Sequence, residues 1–236
     1  MNKVETRQAP EPMQLKLIGS YLSPYTRRVA VSLNALDQPY EFEVVSVMTE
    51  QHKVQAHNPV IRIPVVLMPD GEVLIESYAI LDEIDQRVGP DKALVPPSGA
   101  SRRLVMQTTA LALACMEKAQ WAFYEGRFRP ENKVHEPWVR HNDNQVMGGL
   151  RFLDALAAKL DPGDWLAGTS KISQADITAT VVCSCINLTR PHLNLVNEYP
   201  NLVKFTSRCE DLAIFKKAPL PPLPAAPALP TASPRS

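Results

Sequence analysis

"LKLIGSYLSPYTRRVAVSLNAL", residues Leu15 to Leu36, is the stretch from which the rest of the chain is read. "LKLI" is a short β-type run, and "GSYL" after it has the look of a turn. Ser23 followed by Pro24 then marks a helix start. A hydroxyl suits the N-cap, and a proline suits the first helical position, where the amide has no partner in any case. Tyr25, Val29, Leu33 and Leu36 follow at helical spacing and predict one packed face. Some redox proteins carry Cys-x-x-Cys at this kind of strand-to-helix turn, whereas here Ser-Pro-Tyr-Thr stands in its place. A reactive sulfur at this turn would therefore have to come from a ligand.

Working outward, "YEFEVV" (40–45) supplies a second strand. With the helix between, it makes a β-α-β unit, whose crossover should be right-handed and whose strands should run parallel. "IPVVLM", "PDG" and "EVLI" read as a hairpin, with Asp70-Gly71 supplying the turn. The helix "SYAILDEIDQRV" follows, with Ile80, Leu81, Ile84 and Val88 on one face and Gly89-Pro90 as its stop. A β-α-β-α-β-β-α order in so few residues predicts an α+β thioredoxin-like domain. Beyond Pro97 the pattern turns helical: one long helix from Arg102 to about Gly126, then Val146, Leu150, Leu153, Ala157 and Leu160 at 3, 4 spacing. The expected division is a polar lead (1–12), the thioredoxin-like domain (13–90), a linker (91–99), an all-helical bundle domain (100–218) and a disordered Pro/Ala-rich tail (219–236).

Composition narrows the function. The 236 residues contain 25 Lys plus Arg and 25 Asp plus Glu. No net positive field exists to gather nucleic acid or an anionic membrane. The first residues show no apolar targeting segment, and no window approaches the ~18 to 20 apolar residues of a span, so a soluble cytoplasmic protein is expected. Cys115, Cys183, Cys185 and Cys209 form no C-x-x-C and fall in helical stretches, where they read as buried filler. The five histidines, His52, His57, His135, His141 and His192, match no metal-ligand spacing, so no metal is expected. There is no G-x-G-x-x-G, Walker loop or G-x-S-x-G.

Three separated stretches converge in a thioredoxin-like domain: the turn at Ser23, the loop "NPVIRIPVV" and the helix start "ESYAI". A hydroxyl among free helix amides at a positive dipole end stabilises an incoming thiolate. Ile63-Pro64 lies where the fold bends before the third strand. A cis bond there would turn the Ile63 amide and carbonyl outward, toward a peptide-like ligand. Glu76 and Ser77 head a helix, a place for an α-amino-acid group: amides and hydroxyl for its carboxylate, Glu76 for its ammonium.

"SPYTRRVAVSLNAL", "NPVIRIPVV", "ESYAILDEI", "ISQADI" and "YPNLVKFTSRCEDLAIFKKA", in that order, resemble the cytosolic glutathione S-transferase family of the serine, bacterial-like type, over about residues 14–218. The resemblance implies a homodimeric detoxification enzyme that uses glutathione as co-substrate and presents its thiolate to an electrophilic small molecule. It implies that Ser23 hydrogen-bonds the glutathione sulfur, that Ile63 pairs by backbone with the cysteinyl part, and that Glu76 and Ser77 hold the γ-glutamyl group. Arg62, and on the second helix His52 or Lys53, would lie near the glycine carboxylate. Ser20 and Tyr21 stay open as alternatives to Ser23, and Ile61 stands where many relatives have glycine. Met116, Trp121, Tyr124 and Phe128 are candidate walls for the second substrate. A non-catalytic binding protein, a glutathione-dependent isomerase or dehalogenase, and thiol-disulfide exchange through an exposed Cys115 or Cys209 are the rival readings.

"KISQADITATVVCSC" carries structure and no chemistry. Ser173 and Asp176 are spaced for a reciprocal capping box and Ile172 and Ile177 for its hydrophobic staple, so a helix starts at Ser173. Ser173→Ala should lower stability by about 0.5 to 2 kcal/mol in thermal or urea unfolding. An unchanged midpoint would put the helix start elsewhere.

Overall fold

The computed structural model describes residues 14–226. The expected lead over residues 1–12, and the tail beyond residue 226, lie outside the described residues. The first part runs β1 (Leu15–Gly19), α1 (Pro24–Ala35), β2 (Tyr40–Val44), a short α2 (Gln51–Gln55), β3 (Val65–Leu67), β4 (Val73–Ile75) and α3 (Ser77–Val88). The sheet order is β2-β1-β3-β4, with β1 parallel to β2 and β3 antiparallel to both β1 and β4. This is the thioredoxin-like arrangement. The hairpin turns where expected: Gly71 adopts φ 89, and Asp70 Oδ1 accepts the Glu72 amide at 3.1 Å.

The second part is helical: α4 (Gly99–Phe128), α5 (Glu136–Ala157), α6 (Gln174–Thr189), α7 (Leu195–Glu198), α8 (Pro200–Glu210) and α9 (Ala213–Lys216). Helices α4 and α5 pack closely at Gly149, where a Cβ would fall 2.1 Å from Cys115 Sγ. Helix α5 ends at Ala157, short of the predicted Leu160, which packs on the core from the following turn. Helix α6 is the apolar centre of this part, with Ile177, Ala179, Val181, Val182 and Ile186 all buried. Its capping box forms, and Asp176 also accepts the Ser173 hydroxyl at 2.6 Å and the Leu166 amide at 2.8 Å. One carboxylate thus holds both the helix start and the loop before it.

Helix α1 joins the two parts. It packs against α3 within the first part and against α6 and α9 of the second. Arg27 is buried, and its guanidinium meets both carboxylate oxygens of Glu210 on α8 at 2.7 and 2.6 Å. Its Nε donates to the Ala218 carbonyl at 2.8 Å, and Asn34 donates to the Ile214 carbonyl at 2.9 Å. The chain therefore runs back along α1 toward that helix's N-terminus, after which Arg127 at the end of α4 donates to the Pro224 carbonyl. A second tie is made by Asp85 of α3, which accepts the amides of Leu94 at 2.8 Å and Val95 at 3.0 Å, while the Gln174 amide donates to the Leu94 carbonyl.

Glu210, itself partly exposed, also accepts the Ser184 hydroxyl at 2.6 Å, and it is the carboxylate that pairs with Arg27, which is 1 % exposed. Removing one member of a buried ion pair leaves the other charge without compensation. Glu210→Ala should therefore destabilise by about 3 kcal/mol in urea titration. A loss below about 1 kcal/mol would mean the pair is solvated and unimportant to the joint.

Candidate functional site

The turn after β1 places Ser23 as the N-cap of α1, half-buried, with Pro24 at the first helical position. Its Oγ accepts the Thr26 amide at 3.4 Å, a long bond that keeps the side chain at the helix mouth. Because the oxygen is an acceptor in this contact, the hydroxyl proton stays available to a third group. The two alternatives have other neighbours and neither caps α1, although Ser20, like Ser23, only accepts and so keeps its hydroxyl proton. Tyr21 stacks on Phe42 with ring centroids 4.1 Å apart, and its hydroxyl lies 3.0 Å from that of Tyr40. Burial and that hydrogen bond raise the Tyr40 phenol well above its ordinary value. Ser20 Oγ is turned back onto the Leu22 amide at 3.3 Å.

The loop before β3 is organised by Asn58, which is buried: its side chain donates to the Arg62 carbonyl and accepts the Val60 amide, each at 3.0 Å. Ile61 sits at φ 55, and the Ile63-Pro64 bond is cis. Among the described residues, no backbone hydrogen bond reaches the amide or carbonyl of Ile63. Across the sheet, Glu76 caps α3 at φ 64, ψ 124, and Ser77 opens the helix, buried. A β-branched residue and a glutamate at positive φ are sterically unfavourable, by about 1 to 3 kcal/mol each, and such strain concentrates where side chains must be aimed.

Arg62 draws the three stretches together. Its guanidinium lies 6.0 Å from the centre of the Tyr25 ring on α1 and 3.7 Å from Glu76 Oε1 at the head of α3. Both members of the Arg62–Glu76 pair are more than half exposed, so each can exchange its partner for a ligand. The α2 candidates stand apart. Lys53 is tied to Glu50 at 2.5 Å, His52 is exposed beside the same carboxylate, and no described hydrogen bond or ion pair links either to Ser23, Ile63 or Ser77.

Tyr25, read from the sequence as a packing position, belongs to the site's wall. Burial pushes its phenol up to about 12, against the pull of Arg62, and the same ring senses Glu117 and Tyr124 on α4. Tyr25 on α1 thus lies within electrostatic reach of Glu117 and Tyr124 on α4, and Trp121 on the same helix is half exposed and donates toward Glu117. Met116, expected as a wall residue, is instead 3 % exposed within the main core. Helical spacing finds a face, but it does not say which neighbour covers it.

The four cysteines are buried, and burial raises their thiols, to about 11 for Cys115, Cys183 and Cys209 and about 12 for Cys185. None is an exposed thiolate, which removes the physical basis for disulfide exchange through Cys115 or Cys209. Among the described residues no group of three His, Cys, Asp or Glu side chains is placed to hold a metal ion, and no helix is long and apolar enough to cross a membrane.

Comparison with known proteins agrees with this fold. Residues 17–92 match the family model of the glutathione S-transferase N-terminal domain, and residues 112–213 that of the C-terminal domain. The fold resembles a glutathione S-transferase of Methylobacillus flagellatus with glutathione bound, at 30 % identity and TM-score 0.80, covering 89 % of this chain and 100 % of that one. It also resembles a glutathione S-transferase of Methylobacterium radiotolerans in complex with glutathione sulfonate, at 26 % identity and TM-score 0.78, covering 94 % of this chain and 99 % of that one. Glutathione S-transferase U4 of Arabidopsis thaliana is 35 % identical over 78 residues, an alignment spanning 33 % of this chain and only 35 % of that protein's length.

Proposed function

The chain belongs to the glutathione S-transferase family, and from that premise we propose that it binds glutathione at the α1–β3–α3 junction and activates its thiol for attack on an electrophilic small molecule. The thioredoxin-like part (13–90) would hold the tripeptide, and the helical part (100–218) the second substrate, with 91–99 as the link. What carries the reading is the Ser23 hydroxyl at the positive end of α1, whose oxygen accepts the Thr26 amide and whose proton is free, while the Tyr21 ring is stacked on Phe42 with its hydroxyl against that of Tyr40.

The chemistry follows from that placement. A free thiol titrates near ~8.5, so at neutral pH most of it is protonated. A hydroxyl donor and unpaired helix amides favour the anion and raise its fraction. Ile63, with no backbone partner, would pair with the cysteinyl amide and carbonyl and fix the sulfur over the helix end. Glu76 would accept the γ-glutamyl ammonium, and Ser77 with the α3 amides its carboxylate. Arg62, exposed and flexible, is the nearer candidate for the glycine carboxylate, with His52 and Lys53 as the more distant ones. Rate enhancement would come from thiolate stabilisation and positioning, without a covalent protein intermediate.

The second substrate would enter beside Tyr25, Glu117, Trp121 and Tyr124, three aromatic side chains and one carboxylate. A conjugating role in detoxification suits such a surface, and a homodimer in the cytoplasm is the setting we propose for it. Val73 and Tyr78 on one part and Leu104, Met106 and Phe152 on the other are exposed apolar side chains that such a dimer could cover.

Ser23→Ala should lower turnover with a model electrophile by roughly tenfold or more while glutathione still binds, because one donor to the developing thiolate is lost. Tyr21→Phe should stay within about twofold of the unaltered protein, since only the bond to Tyr40 disappears. Equal losses in the two variants would remove Ser23 from its role.

Ultraviolet titration of bound glutathione should show its thiol ionising at lower pH than in buffer, with the shift shrinking in Ser23→Ala. The direction follows from stabilising the anion: the fraction of thiolate rises at any pH between the bound and free values. An unshifted thiol would mean a carrier that binds glutathione without activating it.

A further inference from the structure

Arg28 is 1 % exposed, and its guanidinium has no carboxylate within ion-pair distance among the described residues. Its contacts are neutral: Nη1 donates to Ser77 Oγ at 3.3 Å, Nη2 donates to Gln174 Oε1 at 3.4 Å, the Tyr78 ring lies 5.0 Å from the guanidinium carbon, and Nε has no hydrogen-bond partner. Burial without an anion pulls this group down from its ordinary value to about 10. Around it, Gln174 donates to Ser32 Oγ at 2.7 Å, Ser32 donates to the Arg28 carbonyl at 2.7 Å, and Thr178 donates to Gln174 Oε1 at 3.3 Å. The network orients the guanidinium and adds no negative charge.

A buried cation left uncompensated is destabilising, and replacing it with an apolar side chain of similar length is often neutral or favourable. Its place behind Ser77 at the head of α3 suits an anion that arrives from outside. Resting on the reading that the α3 start takes the γ-glutamyl end of glutathione, we propose that Arg28 is a positioning residue for that subsite, acting through Ser77. Because Nη1 donates to Ser77 Oγ, the serine's own proton is left to point outward and donate to the ligand's α-carboxylate. The guanidinium polarises that hydroxyl and supplies, one side chain away, the charge that the carboxylate balances. The same residue donates to Gln174 at the start of α6.

The test compares two ligands on the full chain by calorimetry: S-methylglutathione, and S-methyl-4-aminobutyryl-cysteinyl-glycine, which is the same molecule without the γ-glutamyl α-carboxylate. Blocking the sulfur keeps Ser23 out of the measurement. The unaltered protein should prefer S-methylglutathione strongly, and Arg28→Met should shrink that preference by roughly tenfold or more, the scale of one charge-assisted hydrogen bond. The ligand-free melting temperature of Arg28→Met should not fall, since an unpaired charge has been removed. If Arg28→Met does not fold, Arg28→Gln keeps a donor toward Ser77 without the charge and should show the same loss in smaller measure. An unchanged preference in the variant that folds, or equal weakening of both ligands, overturns the positioning role while leaving glutathione binding intact. Failure of the unaltered protein to bind either ligand overturns the glutathione reading itself, and the role of Arg28 with it.

Discussion

Two adjacent guanidinium groups on α1 set the terms for the rest of the molecule. Arg27 and Arg28 are both buried, and both reach from the thioredoxin-like part into the helical part. A charge taken out of water must find hydrogen bonds in fixed directions, so each of these side chains dictates what lies opposite. Arg27 has its full set: a carboxylate, a carbonyl and the face of Phe215 at 5.9 Å. Arg28 is bonded by neutral groups alone. Helix α1 is thereby held between the sheet and α6, and its N-terminus carries Ser23 as the cap.

Most of the fold was legible because it rests on local signals. The parallel and antiparallel strand pairs follow from connection length and from Asp70-Gly71, and the start of α6 follows from Ser173 and Asp176, all within a few residues of the structure they specify. The buried arginines were not legible in this way. "RR" on a helix reads as a solvated pair, and only partners far along the chain, at Gln174, Glu210 and Ala218, reverse that. Met116 failed for the same reason, since its helical face is covered by core that no spacing rule identifies.

The site shows the same division. Ser23, Ile63, Glu76 and Ser77 were nameable because cap, proline and helix start each leave a local mark. What organises them was not: Asn58 bracing its loop from within, Tyr25 shared between α1 and α4, and Arg62 placed between Tyr25 and Glu76. The positive φ at Ile61 and Glu76 belongs to this second group. Both residues are awkward where they stand, and both flank the positions whose polar groups have to face outward.

The bonds from Arg27 to Glu210 and Ala218 span 183 and 191 residues of chain. A ribosome releases the amino end first, so α1 leaves the exit tunnel long before the partners that neutralise and cover it exist. At the usual pace of ~5 to 20 residues per second, that wait lasts on the order of ten seconds or more. Through that interval Arg27 has neither its carboxylate nor its carbonyl, and α1 is closed off only when residues 210–218 arrive.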